Sequence, residues 1–182
     1  HRGSPTGEII MEDCRVPKEN VLGAENKGVA VMMGGLDVER AFFAGEAIGI
    51  AQGAFDLALQ YSREREQFGR PISSFQLIQA KLSDMYADIE AGRLLCYKAA
   101  HLSGEAERGG KGTEIHKLAA ASLMFNARMC NRVVDEAVQI HGGYGYTLEY
   151  PVNRFYRDAK LMTIGAGTTE IRQLIIAREL LK

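Results

Sequence analysis

The run Ala41-Phe42-Phe43-Ala44-Gly45-Glu46-Ala47-Ile48-Gly49-Ile50-Ala51-Gln52-Gly53-Ala54-Phe55-Asp56-Leu57-Ala58-Leu59 decides the fold. It is the most apolar stretch of the chain, yet Glu46, Gln52 and Asp56 interrupt it. That spacing argues for a helix buried in a protein core rather than a membrane span. It lies inside a longer helical pattern from about Val29 to about Glu66, which at ~1.5 Å per residue would exceed ~50 Å. Gly45, Gly49 and Gly53 recur every four residues and fall close to one face. Mid-helix glycine is unfavourable by roughly 1 kcal/mol relative to alanine. The run therefore predicts a second helix packed closely on that face.

Downstream, Phe68-Gly69-Arg70-Pro71-Ile72-Ser73 breaks the pattern. A second helix is expected from an N-cap at Ser73 or Ser74 to about Ser103, with Leu77, Leu82, Met85, Ile89, Leu94 and Leu95 as its apolar positions. A charged, glycine-containing loop, Gly104 to Gly112, separates it from a third helix opened by Thr113 and Glu114. That helix carries Leu118, Ala121, Phe125, Val133, Val134 and Ile140, and His141-Gly142-Gly143-Tyr144-Gly145-Tyr146 ends it. Shorter helices follow over about 152–162 and 169–181. Long amphipathic helices on short connections give an all-α, antiparallel bundle.

Upstream, Asn20 to Gly28 is a turn-rich connection. Before it, Glu8 to Pro17 reads as a strand between glycine and proline punctuation. One strand cannot hold a sheet, so the segment is expected to be a short β remnant. The abrupt opening His1-Arg2-Gly3-Ser4-Pro5-Thr6-Gly7 fits a chain that is the C-terminal part of something longer.

Composition narrows the class. At 182 residues, with 46% hydrophobic and 25% charged residues, the chain can build one well-cored domain and is not of disordered type. A net charge of −1 gives no global basic field for nucleic acid or an anionic membrane. Cys14, Cys96 and Cys130 form no metal-ligand spacing and are odd in number, which points to reduced thiols and an intracellular setting. No metal site is expected. No signal-peptide pattern opens the sequence, so secretion is not expected. His101 and His116 sit in helical patterns without a motif, and no role is assigned to them.

Near the C-terminus stands Arg157-Asp158-Ala159-Lys160-Leu161-Met162-Thr163-Ile164-Gly165-Ala166-Gly167-Thr168-Thr169-Glu170-Ile171-Arg172. This string resembles the C-terminal signature of the acyl-CoA dehydrogenases, flavoenzymes that oxidise the α–β bond of acyl thioesters. Most of them would read Tyr-Glu where this chain has Gly165-Ala166, and that Glu is the base that removes the α-proton. Ala166 cannot take a proton. A replacement stands upstream in Gly35-Leu36-Asp37-Val38-Glu39-Arg40, which resembles the isovaleryl-CoA dehydrogenase branch, where the catalytic Glu sits on the first long helix. The resemblance implies Glu39 as the base, and Asp37, Arg40, Gly165, Ala166 and Gly167 beside the acyl group. A carboxylate suits the task if partial burial raises its pKa. From the residues alone, Asp37 and Glu39 could instead complement a helix dipole, Arg40 could be a surface ion pair, and Glu46, seven residues on, shares nearly the same face.

Two further motifs match the same family. Arg65-Glu66-Gln67-Phe68-Gly69 resembles its Arg-x-x-Phe-Gly signature, whose Arg and Phe contact the FAD of a neighbouring subunit. Arg65, Gln67, Phe68 and Gln76 are carried over, and guanidinium geometry does suit phosphate oxygens. A charged, solvated helix end is the plainer alternative. Gln139-Ile140-His141-Gly142-Gly143 resembles the family's Gln-x-x-Gly-Gly loop at the adenosine part of FAD, and glycine C-capping would explain the same residues. Thr168, Thr169 and Glu170 match its flavin-contacting stretch at a helix start, where backbone N–H groups can meet anionic oxygens.

The resemblance covers essentially the whole chain. It implies that residues 1–25 end a middle β-domain and that residues 26–182 form a C-terminal helical-bundle domain. It further implies FAD, a short and branched acyl-CoA substrate, an electron-transferring flavoprotein as electron acceptor, and a homodimer or homotetramer. Bacterial or archaeal cytoplasm and the mitochondrial matrix both fit. The alternatives are a non-catalytic bundle for assembly or acyl-CoA binding that has lost its base at Ala166, and a long-chain acyl-CoA dehydrogenase.

Overall fold

The computed structural model describes residues 5–105 and 113–182, so most of the expected 104–112 loop and the first four residues lie outside the described residues. Helix α1 spans Gly28–Glu64, and a minimal hairpin follows, with β1 at Glu66–Gln67 and β2 at Arg70–Pro71. Then come α2 (Gln76–Glu105), α3 (Glu114–His141), the short α4 (Gly143–Tyr146), α5 (Pro151–Met162) and α6 (Thr169–Leu180). The chain is an all-α bundle.

Side-chain pairs fix the helix directions. Between α1 and α2, Ala41 meets Cys96, Gln52 meets Arg93, and Phe55 meets Tyr86. Numbers rise on one helix as they fall on the other, so the two run antiparallel. Gly92–Asn126, Asp88–Arg132 and Lys81–Glu136 set α2 antiparallel to α3. Asp37–His116 and Tyr61–His141 leave α1 parallel to α3. α5 returns along α3, with Asn131 donating to the Ala159 carbonyl and His141 packed on Tyr150.

Local chemistry accounts for several of the helix ends. Thr113 caps α3, its hydroxyl accepting from the His116 N–H at 3.3 Å. Gly142 stops α3 at φ 61°, and its N–H closes onto the Gln139 carbonyl. Pro151 opens α5 at a position where its missing donor costs nothing. Thr168 caps α6.

Several expectations are corrected. Ser73 and Ser74 do not cap α2: they lie in a 3-10 turn, Ile72–Ser74, and the Ser74 hydroxyl donates back to the Pro71 carbonyl. Leu77 and Leu94 are exposed, whereas Met85 and Ile89 are core. Glu8 to Pro17 forms no strand, because it has no partner edge among the described residues.

The glycine face of α1 also differs from expectation. Gly45 and Gly49 are exposed, and a Cβ at either would meet nothing within 4 Å; only Gly53 is approached, by Phe155 at 3.2 Å. The buried face is alanine instead, through Ala41, Ala44, Ala47, Ala51, Ala54 and Ala58, all fully buried. Alanine allows close helix approach without glycine's helix penalty. The tight crossing lies elsewhere, at Gly92 on α2, where a Cβ would stand 2.2 Å from Asn126 Oδ1. By length and composition α1 could cross a membrane, but its alanine face is part of the bundle core.

Candidate functional site

Two separate groups of the expected residues emerge. The first surrounds a cleft of about 530 Å³ where the end of α1 meets the α3–α4 junction. It is lined by Arg65 and Gln67 from one motif and by Ile140, His141, Gly142 and Gly143 from the other. Tyr61, Ile72, Tyr144 and Thr147 complete the wall. Arg65 is held in place where α1 ends: its N–H bonds Tyr61, its carbonyl accepts from Ile72, and its guanidinium stands 5.4 Å from the Tyr144 ring centre. His141 is buried and stacked on Tyr61 at 4.3 Å. Its Nδ1 donates to the Ala137 carbonyl at 2.7 Å, which leaves the Nε2 lone pair available in the neutral ring. Burial pushes its pKa below the ordinary imidazole value, with the Ala137 bond opposing.

The glycines of this cleft differ in their physical reasons. Gly142 needs its freedom for a positive φ. Gly143 does not, and a Cβ on it would meet nothing within 4 Å. Nothing in this chain therefore requires glycine there, and the open backbone suits close approach by a bound group. Phe68, Gln76 and Gln139 do not line the cleft. Phe68 sits at the hairpin tip, 92% exposed at φ 56°, and packs edge-on against Phe75. A bulky residue held at positive φ in solvent is an unfavourable local choice. Gln76 and Gln139 are exposed on α2 and α3.

The second group joins the start of α1 to the link between α5 and α6. Arg40 is 3% exposed, and its Nε donates to the Ala166 carbonyl at 3.1 Å. Ala166 takes φ 54° and Gly167 φ 95°. From α6, Arg172 is fully buried; it donates to the Met162 carbonyl at 2.9 Å and also to the Gly165 carbonyl. Burial and then the charge of Arg40 lower the Arg172 guanidinium to about 10. Two guanidinium groups thus hold the Gly165–Gly167 turn by its carbonyls. Gly165 is crowded too, since a Cβ there would lie 3.3 Å from the Phe43 ring.

Thr169 directs both its N–H and its hydroxyl to the Thr163 carbonyl. Thr168 caps, and Glu170 is exposed. The backbone N–H of Glu170 and then the Thr168 hydroxyl hold its carboxyl below the usual range. Glu39 and Glu46 are both exposed in this chain. Asp37, by contrast, is 2% exposed and bonded to Arg40 at 3.3 Å and to His116 at 2.8 Å. The sequence assigns no role to His116, and Arg172 stands in the C-terminal string without a role of its own. No local motif marks His116, whose partner Asp37 lies 79 positions away, and the place of Arg172 in its string does not show that it is buried against the preceding turn.

Comparison with known proteins gives the family. Residues 26–181 match the family described as acyl-CoA dehydrogenase, C-terminal domain. The chain is 49% identical over 183 residues to a mitochondrial isovaleryl-CoA dehydrogenase of Oryza sativa subsp. japonica, covering all of this chain and 43% of that protein. The butyryl-CoA dehydrogenase structure from Megasphaera elsdenii superposes with a TM-score of 0.88 at 43% identity, over 95% of this chain and 44% of that one. A chain of a structure described as the electron transferring flavoprotein of Acidaminococcus fermentans gives the same TM-score at 45% identity, again over 95% of this chain and 44% of its own length. The chain thus spans less than half the length of these relatives. With the family match covering most of its length and both motif groups in place, the chain belongs to the acyl-CoA dehydrogenase family.

Proposed function

We propose that the full-length protein is an FAD-dependent acyl-CoA dehydrogenase acting on a short, branched acyl-CoA, and that Glu39 is its base. The observation that carries this reading is the Arg40–Ala166 hydrogen bond at 3.1 Å. It brings the α1 turn bearing Glu39 against the position where most of the family carry their catalytic carboxylate. In this reading Glu39 takes the α-proton. Gly165, Ala166 and Gly167 border the acyl group where most of the family carry Tyr and Glu, with Gly165 packed against Phe43, and Asp37 and Arg40 set the wall of the acyl site.

FAD, when bound, supplies the two-electron acceptor for the β-hydride. Arg65 would hold its phosphates, Gln67 with the 139–143 loop its adenosine part, and Thr168 to Glu170 the flavin side. The open backbone at Gly143 and the Arg65 guanidinium in the cleft wall fit such a group. Phe68, exposed at a hairpin tip, suits a contact across subunits in a homodimer or homotetramer. Residues 1–25 belong, in this reading, to the end of a β-domain, and residues 26–182 to the helical-bundle domain. Electrons would pass to an electron-transferring flavoprotein. A mitochondrial matrix or bacterial or archaeal cytoplasmic setting accords with the reading.

The test is anaerobic titration of the full-length flavoprotein with isovaleryl-CoA and butyryl-CoA, followed by loss of flavin absorbance. Bleaching by isovaleryl-CoA at the lower concentration is expected. An unbleached flavin with every acyl-CoA would reject the enzyme reading.

A further inference from the structure

We propose that His116 is a positioning residue for the proposed reaction, acting through Asp37 and Arg40 on the turn at Ala166. The inference rests on Glu39 as the base. His116 is the third residue of α3, and its own N–H is tied to the Thr113 cap. Its ring reaches across to α1, where Nδ1 lies 2.8 Å from Asp37 Oδ1. A carboxylate accepts, so Nδ1 carries the proton in the neutral ring as well as in the imidazolium. The same Oδ1 receives Arg40 Nη1 at 3.3 Å, and Arg40 Nε donates onward to the Ala166 carbonyl at 3.1 Å.

The three side chains that lead to the turn are buried: Asp37 2%, Arg40 3% and His116 8% exposed. A buried carboxylate must keep its donors, or draw in water and rotate. The ring of His116 therefore sets how Asp37 faces Arg40, and Arg40 in turn holds a residue at φ 54° that would not keep that conformation unaided. Glu39 lies between Asp37 and Arg40 in sequence. The two buried neighbours pin its backbone while its carboxylate stays exposed. Orientation of this kind is worth much in rate, since misplacement by ~1 Å can cost ~10²-fold.

The test uses the full-length flavoprotein with His116→Ala, which removes the donor, and His116→Asn, whose amide nitrogen stands where Nδ1 does. In His116→Ala, hydrogen exchange of the amides in residues 163–168 should rise by ~tenfold, while those around Met129 on the same helix stay within ~twofold of wild type. The rate of flavin reduction by acyl-CoA should fall ~10–100-fold with the acyl-CoA dissociation constant within ~threefold, because positioning acts on the chemical step. His116→Asn should restore both readings. A uniform rise of exchange along α3 would make His116 a plain core residue and overturn the proposal. Local loosening at 163–168 with an unchanged reduction rate would overturn it equally, as would failure of His116→Asn to rescue. Failure of the base assignment reads differently: Glu39→Gln would then reduce its flavin at the wild-type rate, whatever the exchange data say about His116.

Discussion

Asp37 Oδ1 lies 2.8 Å from His116 Nδ1, across 79 positions of sequence. The same oxygen receives the guanidinium of Arg40, which bonds the Ala166 carbonyl 126 positions away. Two helices thus meet at one buried carboxylate, and Arg40 links it to a third segment at Ala166. Arg40 of α1 and Arg172 of α6 hold the turn that follows α5, and His116 of α3 bonds the carboxylate that holds Arg40.

Replacing Glu39 by Gln keeps size but removes the proposed proton acceptor. In the full-length flavoprotein, substrate reduction of the flavin should fall by ~10²–10⁴-fold. Flavin content should be unchanged. A near-normal rate would move the base to Glu46, seven residues along the same helix.

On the proposed FAD site, Arg65→Ala should lower the flavin retained per protein after gel filtration, because a guanidinium provides phosphate with both charge and paired donors. Sedimentation should show a looser assembly as well. If content and assembly both match wild type, Arg65 only ends α1.

The glycines of α1 and α2 should respond oppositely. Gly92→Ala forces a Cβ to 2.2 Å from the fully buried Asn126, and overpacking of this sort costs ~1–3 kcal/mol in urea unfolding. Gly49→Ala meets open space and should gain up to ~1 kcal/mol from helix propensity. Equal effects from the two would contradict the crossing described at Gly92.

Acid stability should depend on His141. Its folded pKa lies below the ordinary value of 6.5 because it is buried. The unfolded chain therefore binds more protons in the interval below pH 6.5. The stabilisation is complete above that pH and is lost as pH falls through the folded pKa. His141→Phe keeps a ring against Tyr61 and removes the titration. Between pH 7.5 and 5.5 wild type should lose more unfolding free energy than His141→Phe, and parallel curves would refute the assignment.

Gly165→Tyr tests substrate choice. If the proposed acyl site is right, a ring at this position takes volume beside the reacting carbons, and isovaleryl-CoA turnover should suffer more than butyryl-CoA turnover, by roughly 5–150-fold in specificity. Gly165→Ala controls for the contact with Phe43, which a Cβ would approach at 3.3 Å. An equal loss with both substrates would point away from a branched acyl chain, and a long-chain substrate would become the better match.

The sequence by itself determined what is local. Hydrophobic periodicity located the long helices, and caps such as Thr113, Gly142 and Thr168 acted where the chain placed them, because a cap bonds within one turn of itself. The motif strings were also readable, since each is contiguous. Tertiary structure alone decided which face of α1 turns inward. Glycine spacing suggested one face, but alanine offered a close-packing surface at lower cost to the helix, and the glycines were left outside. Tertiary structure also joined Arg65 to the 140–143 loop, and His116 through Asp37 and Arg40 to Ala166. Those contacts depend on helix direction and register across the bundle, and no single helix encodes what stands opposite it.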